Sequence, residues 1–116
     1  MILIIGAEAS GKREFAKKLG YTEDDFTTDP FDGKRVVYGV QNILFADHTR
    51  TQELYNALVD KDVVICNEVG SGVIPVERNV RLGREAAGRL CVLLAKDAEA
   101  VVRMVCGIPT IIKGQI

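Results

Sequence analysis

Gly6-Ala7-Glu8-Ala9-Ser10-Gly11-Lys12 is the stretch whose residue types and spacing carry the clearest chemistry. Two glycines separated by four residues and followed by a lysine are the parts of a phosphate-binding loop. In such a loop the backbone N–H groups and a helix N-terminus surround a di- or triphosphate, while the lysine ammonium pairs with the outer phosphates. Glycine is required where a Cβ would hold the backbone away from its ligand. Gly6, Ala7, Glu8, Ala9, Ser10, Gly11, Lys12 and Arg13 are therefore the candidate nucleotide-binding residues. Lys12 is also the candidate for stabilising charge on a transferring phosphoryl group. The pattern departs from the usual one at its end: a Ser or Thr hydroxyl normally follows the lysine and ligates Mg²⁺, whereas Arg13 is a pure donor.

Other chemistry-bearing residues lie further along. Val63-Val64-Ile65-Cys66 is apolar throughout and ends in Asn67-Glu68. Ligands of open α/β sheets bind at the carboxyl edge, so Glu68 is expected near the loop's phosphates, as a metal ligand or as a general base toward an attacking hydroxyl. The lone histidine, His48, could attack an α-phosphate as a neutral imidazole, with Asp47 or Asp60 orienting it. Arg78, Arg81, Arg84 and Arg89 bring several guanidiniums to the first half of a long helical pattern. Glu23, Asp24, Asp25, Asp29 and Asp32 crowd a polar stretch that reads as a solvated connection, with a mobile acidic loop near the phosphates as the alternative.

The elements that must position these residues follow from periodicity. Met1 to Ile5 is a buried strand, Arg13 to Leu19 a short helix sharing Phe15 and Leu19 on one face, and Gly20 its stop. Arg35 to Val40 has the β-branched and aromatic content of a strand, and Ile43-Leu44-Phe45 is ambiguous. Thr51 is expected to cap a helix through Asp60 that faces the sheet with Leu54, Ala57 and Leu58. Val63 to Cys66 is a central strand. Gly70-Ser71-Gly72 is a turn, and Pro75 opens a helix through Ala95 whose buried stripe is Val76, Val80, Ala87, Leu90 and Leu94. Ala100 to Cys106 is a strand, and the short Gly107-Ile108-Pro109 link makes Thr110 to Lys113 an antiparallel edge. The fold class is α/β: a three-layer P-loop NTPase-like fold, with a mostly parallel central sheet and an antiparallel edge strand.

Composition bounds the rest. A chain of 116 residues reads as one nucleotide-binding domain over 1–116, and 15 basic against 16 acidic residues leave a net charge of -1. No global field favours nucleic acid or an anionic membrane. The apolar start is only five residues long and has no basic leader, so neither a signal peptide nor a membrane span is expected, and the protein is expected to be cytoplasmic. Cys66, Cys91 and Cys106 sit among apolar neighbours without metal-type spacing and read as buried thiols.

Asn67-Glu68-Val69-Gly70, Gly72, Pro75, Arg78, Arg81, Arg84, Gly88-Arg89, Cys106-Gly107-Ile108 and Lys113, with the Gly6-to-Lys12 loop, resemble the adenosylcobinamide kinase/adenosylcobinamide-phosphate guanylyltransferase family. The resemblance spans residues 1–19 and about 63–113. It implies an enzyme of cobalamin biosynthesis that phosphorylates the aminopropanol hydroxyl of a corrinoid substrate with ATP or GTP. It further implies a homo-oligomeric assembly and transfer of GMP from GTP through a guanylylated histidine; Mg²⁺ is the cofactor expected from the loop chemistry, held by the nucleotide, waters and Glu68. Carried over by position, the phosphates fall to Gly6, Ser10, Gly11 and Lys12, the strand-exit element to Asn67 and Glu68, and the histidine role to His48. The alternative is a non-catalytic nucleotide- or corrinoid-binding homologue that lacks the metal ligand and the nucleophile.

Overall fold

The computed structural model describes residues 1–68 and 77–116. Alternating side chains on its strands explain the layers. Leu3, Val37, Val64 and Val101 face one side of the sheet, while Ile4, Val36, Val63, Ile65 and Val102 face the other, and all are buried. Strands that are apolar on both faces must be covered on both faces.

The six-stranded sheet has the order β2-β3-β4-β1-β5-β6. Its strands are β1 (Ile2–Gly6), β2 (Phe26–Thr27), β3 (Val36–Val37), β4 (Val63–Asn67), β5 (Ala100–Val105) and β6 (Ile108–Lys113). The first five run parallel, and β6 is antiparallel to β5 at the edge. Helix α1 (Lys12–Lys18) covers one face through Ala16. Helices α2 (Val40–Ala46), α3 (Thr51–Leu58) and α4 (Arg78–Asp97) cover the other. The expected α/β three-layer arrangement and its antiparallel edge are thus present.

Local readings differ in instructive places. The second strand is only Val36–Val37, because Gly39 turns into the left-handed region at φ 69 and starts α2, which takes Val40 and the ambiguous Ile43-Leu44-Phe45 run. The polar stretch before it contributes the two-residue strand β2 through the buried Phe26. Thr51 is the first residue of α3 and not its cap. Asp47 instead accepts from the Thr49 N–H and closes the one-turn 3₁₀ helix His48–Arg50 ahead of α3. Gly70-Ser71-Gly72, Pro75 and Val76 lie outside the described residues.

The buried stripe of α4 is Gly83, Ala86, Ala87, Leu90 and Leu94, whereas Val80 is exposed. Small residues replace Val80 in the contact because α4 packs close to α2. Cys66 is buried as expected, but Cys91 is half-buried and Cys106 exposed. The exposure of Cys106 follows from its place in a tight turn: with Gly107 it forms a two-residue hairpin between β5 and β6 with φ positive at both positions, the geometry of a type I′ turn. The sixth strand therefore begins at Ile108, earlier than Thr110, and carries Pro109 on the edge. Lys113 reaches from it to donate to the Ala95 and Lys96 carbonyls, a cation on the last turn of α4. Among the described residues no helix is long and apolar enough to cross a membrane.

A Cβ on Gly83 would come 2.5 Å from Phe45 Cδ1 and 2.9 Å from Phe45 Cα, while one on Gly88 of the same helix would meet nothing within 4 Å. Gly83→Ala is expected to destabilise by about 1–3 kcal/mol through overpacking. Gly88→Ala should be neutral, or stabilise by up to about 1 kcal/mol through helix propensity. Equal thermal melting shifts for the two variants would refute the close α2–α4 contact.

Candidate functional site

The loop leaves the sheet where three strands run side by side. Gly6 is in register with Asn67 of β4 and with Met104 of β5. A Cβ on Gly6 would lie 2.5 Å from Ser10 Oγ and 2.6 Å from the Met104 carbonyl oxygen, so only glycine fits. Two backbone hydrogen bonds tie the loop down from either side. The Glu68 N–H donates to the Gly6 carbonyl at 2.9 Å, and the Gly107 N–H donates to the Ser10 carbonyl at 3.0 Å. Ala9 adopts φ 58 and Gly11 φ 95, and this pair of left-handed residues curls the chain into the start of α1.

Lys12 is folded into that curl and almost fully buried. Its Nζ donates to the Ala7 carbonyl and lies 3.5 Å from Ser10 Oγ. Burial pushes the Lys12 ammonium below its ordinary pKa, against the fields of the Glu8 and Glu68 carboxylates, which favour the charge. A buried cation with only neutral oxygens as its hydrogen-bond acceptors is a receptive partner for a phosphate, which supplies the missing counter-charge.

Two cavities flank the loop. The larger, about 490 Å³, runs from Glu8 to Glu14 along the loop and meets Tyr38, Gln41, Asn42 and Asn67. The smaller, about 330 Å³, lies between Ala7 to Ser10 and Glu68, Arg103 and Met104. Glu8, Ala9 and Ser10 line both, so the loop is their shared wall. Asn67 and Glu68, consecutive residues at the exit of β4, reach opposite sides of it, as alternation along an extended chain requires. Buried Gln41 braces this exit by accepting from the Asn67 N–H at 3.4 Å.

Sequence reasoning placed Glu68 beside the loop and missed its partner. Arg103 donates from Nε to Oε1 at 2.6 Å and from Nη2 to Oε2 at 3.1 Å, a fork on both carboxylate oxygens. That contact raises the Arg103 pKa. The signal was present in the sequence as the one charged residue inside the apolar β5 run. Tyr38, Gln41 and Asn42 were missed because Tyr38 reads as part of a strand and Gln41 and Asn42 fall between it and the ambiguous Ile43-Leu44-Phe45 run, whereas the turn at Gly39 directs them to the loop. His48 is half-buried on the turn between α2 and α3 and lines neither cavity. Arg78 is exposed at the start of α4 and also lines neither.

As a setting for Mg²⁺ the donors are few. Position 13 offers no side-chain oxygen, both Glu68 oxygens accept from Arg103, and among the described residues no group of three or more His, Cys, Asp or Glu gathers. The Cys66 thiol, pushed well up by the adjacent Cys91 thiol and by burial, is a soft sulfur, whereas Mg²⁺ takes oxygen ligands.

A family model described as cobinamide kinase / cobinamide phosphate guanyltransferase matches residues 36–112. That is 77 of 116 residues, and it reaches from β3 to β6. The loop precedes the matched span, so its assignment rests on its own residues and geometry. No curated protein matches the chain.

A Cβ on Gly11 would stand 3.2 Å from Gly107 Cα, at a left-handed φ. Gly33 has a similar φ of 84 with open space around it. Gly11→Ala and Gly33→Ala should each lose about 1–2 kcal/mol of stability to backbone strain. Only Gly11→Ala should weaken nucleotide binding, by at least about tenfold, because it alone moves the loop off the hairpin. Equal nucleotide affinities for the two variants, measured by calorimetry, would refute this seating.

Proposed function

We propose that this chain, which belongs to the cobinamide kinase/cobinamide phosphate guanyltransferase family, transfers a phosphoryl group from GTP or ATP to the hydroxyl of a cobinamide. The observation that carries the reading is the position of the loop as the common wall of two cavities. Phosphoryl transfer needs attacking and leaving oxygens in line on opposite sides of the phosphorus. The larger cavity, with Lys12, can take the nucleotide, and the smaller, with Glu68, the acceptor, with the transferring phosphate at the edge of the loop between them.

In this reading Lys12 and the loop N–H groups balance the charge that spreads over the transferring phosphoryl oxygens. Ser10, Gly11 and Asn67 position the nucleotide. Glu68, held by the Arg103 fork, faces the smaller cavity, where its remaining lone pairs can accept a hydrogen bond from the attacking hydroxyl and orient it. His48 is the residue that would carry GMP in the second family reaction. Because it lines neither cavity, GMP must reach it from another face of the molecule.

Incubating the protein with labelled GTP and cobinamide tests both halves. Phosphorylated cobinamide is expected, and Lys12→Ala should lower its rate by at least about a hundredfold. A mass increase of one GMP on His48 would establish the guanylyl branch, and product without that adduct would restrict the chain to the kinase step. Nucleotide binding with neither product nor adduct would overturn the enzyme reading in favour of a binding homologue.

The family resemblance also supports a homo-oligomer. All six residues of β6 are exposed, with Ile108, Ile111 and Ile112 each more than half exposed beside Val105 of β5. An apolar edge strand with an open side is a surface for pairing with a second copy. Light scattering should report an oligomer that Ile111→Lys dissociates, and a monomeric parent protein would refute the assembly.

A further inference from the structure

The residue after Lys12 decides how the charge of a bound triphosphate is met. A phosphate loop of this type ordinarily uses two cations: its lysine, and a metal ion held by the hydroxyl that follows the lysine. Here that hydroxyl is absent, and a guanidinium stands in its place. The Arg13 side chain lines the larger cavity together with Lys12 and Tyr38. Its Cζ lies 5.1 Å from the Tyr38 ring centroid, within the range of a cation–π contact. The ring at the end of β3 gives the guanidinium a flat support at the mouth of the loop.

Arg13 also keeps its charge available. It belongs to none of the ion pairs formed among the described residues. The carboxylates of Glu8 and Glu14 line the same cavity without pairing with it. By contrast, Glu68, the strand-end carboxylate best placed to hold a metal near the phosphates, already has both oxygens on Arg103. The two features point the same way: a cation has been built into the loop, and the carboxylate that would recruit a diffusible one has been neutralised.

We infer that Arg13 supplies the second positive charge at the phosphates of the bound nucleoside triphosphate, so that binding does not require Mg²⁺. A guanidinium can donate two parallel N–H bonds to phosphate oxygens, which gives geometry as well as charge. The inference rests on the loop being the nucleotide site, and it concerns binding alone.

The test is calorimetric titration with GTP, once in buffer containing Mg²⁺ and once in EDTA. The Kd of the parent protein should differ by less than about threefold between the two buffers. Arg13→Ala should weaken GTP binding in EDTA by at least about tenfold. Tyr38→Leu, which removes the ring but keeps an apolar side chain, should weaken it by a smaller factor. Arg13→Ser should bind poorly in EDTA and recover on addition of Mg²⁺, since it restores the hydroxyl. Melting curves of the three variants show that each is folded before titration. The inference is overturned if the parent protein loses tenfold or more in affinity without metal, if Arg13→Ala binds as tightly as the parent in EDTA, or if GTP does not bind at all. Cobinamide phosphorylation together with metal-dependent GTP binding would overturn this inference and leave the transferase reading standing.

Discussion

The structure depends on one crowded point, where β1 ends between β4 and β5 and the chain must turn without a side chain. Gly6 meets Asn67 on one side and Met104 on the other, with Ser10 closing over it. Close approach there joins the loop to the strand end at Glu68 and to the hairpin at Gly107 through backbone hydrogen bonds. Neighbouring choices follow from it. β4 and β5 must be apolar enough to lie on both sides of β1; separately, Gly83 of α4 admits the close approach of Phe45 of α2.

How much of this was legible in the sequence depended on the range of the determining interaction. The loop, the apolar central strands and the antiparallel end were readable, because glycine spacing, uninterrupted β-branched runs and a short connection are local signals. The short strand β3 was read too long, because Tyr38 and Val40 suit a strand and only the left-handed turn at Gly39 separates them. Val80 was assigned to the core by spacing alone. The actual stripe of α4 is set by how closely α2 approaches, which periodicity does not encode. The nearness of Glu68 to the loop was legible from the strand-end position. The Arg103 fork joins residues 35 positions apart, and the Tyr38 support for Arg13 joins two others through the fold.

The two consecutive residues at the exit of β4 show how an extended chain divides labour. Asn67 and Glu68 differ by one position and so fall on opposite sides of the loop. One side has three amides, the Tyr38 ring and the Lys12 and Arg13 cations. The other is defined by an ion pair and the apolar walls of β5. A single strand end therefore gives two chemically distinct surroundings to whatever lies on the loop. The family match runs from β3 to β6, so it includes the strand ends that create both.

The hairpin turn at Cys106-Gly107 has a thermodynamic consequence. Its backbone hydrogen bond to Ser10 and the matching bond from Glu68 to Gly6 fix the loop at both ends while the protein folds. The conformational entropy of those residues is given up at folding, before any ligand arrives. On the proposed reading, a phosphate meets a receptor that is already ordered, so more of its interaction energy appears as affinity. The edge of the sheet, outwardly a boundary, acts as the fixture that sets the rigidity of the centre.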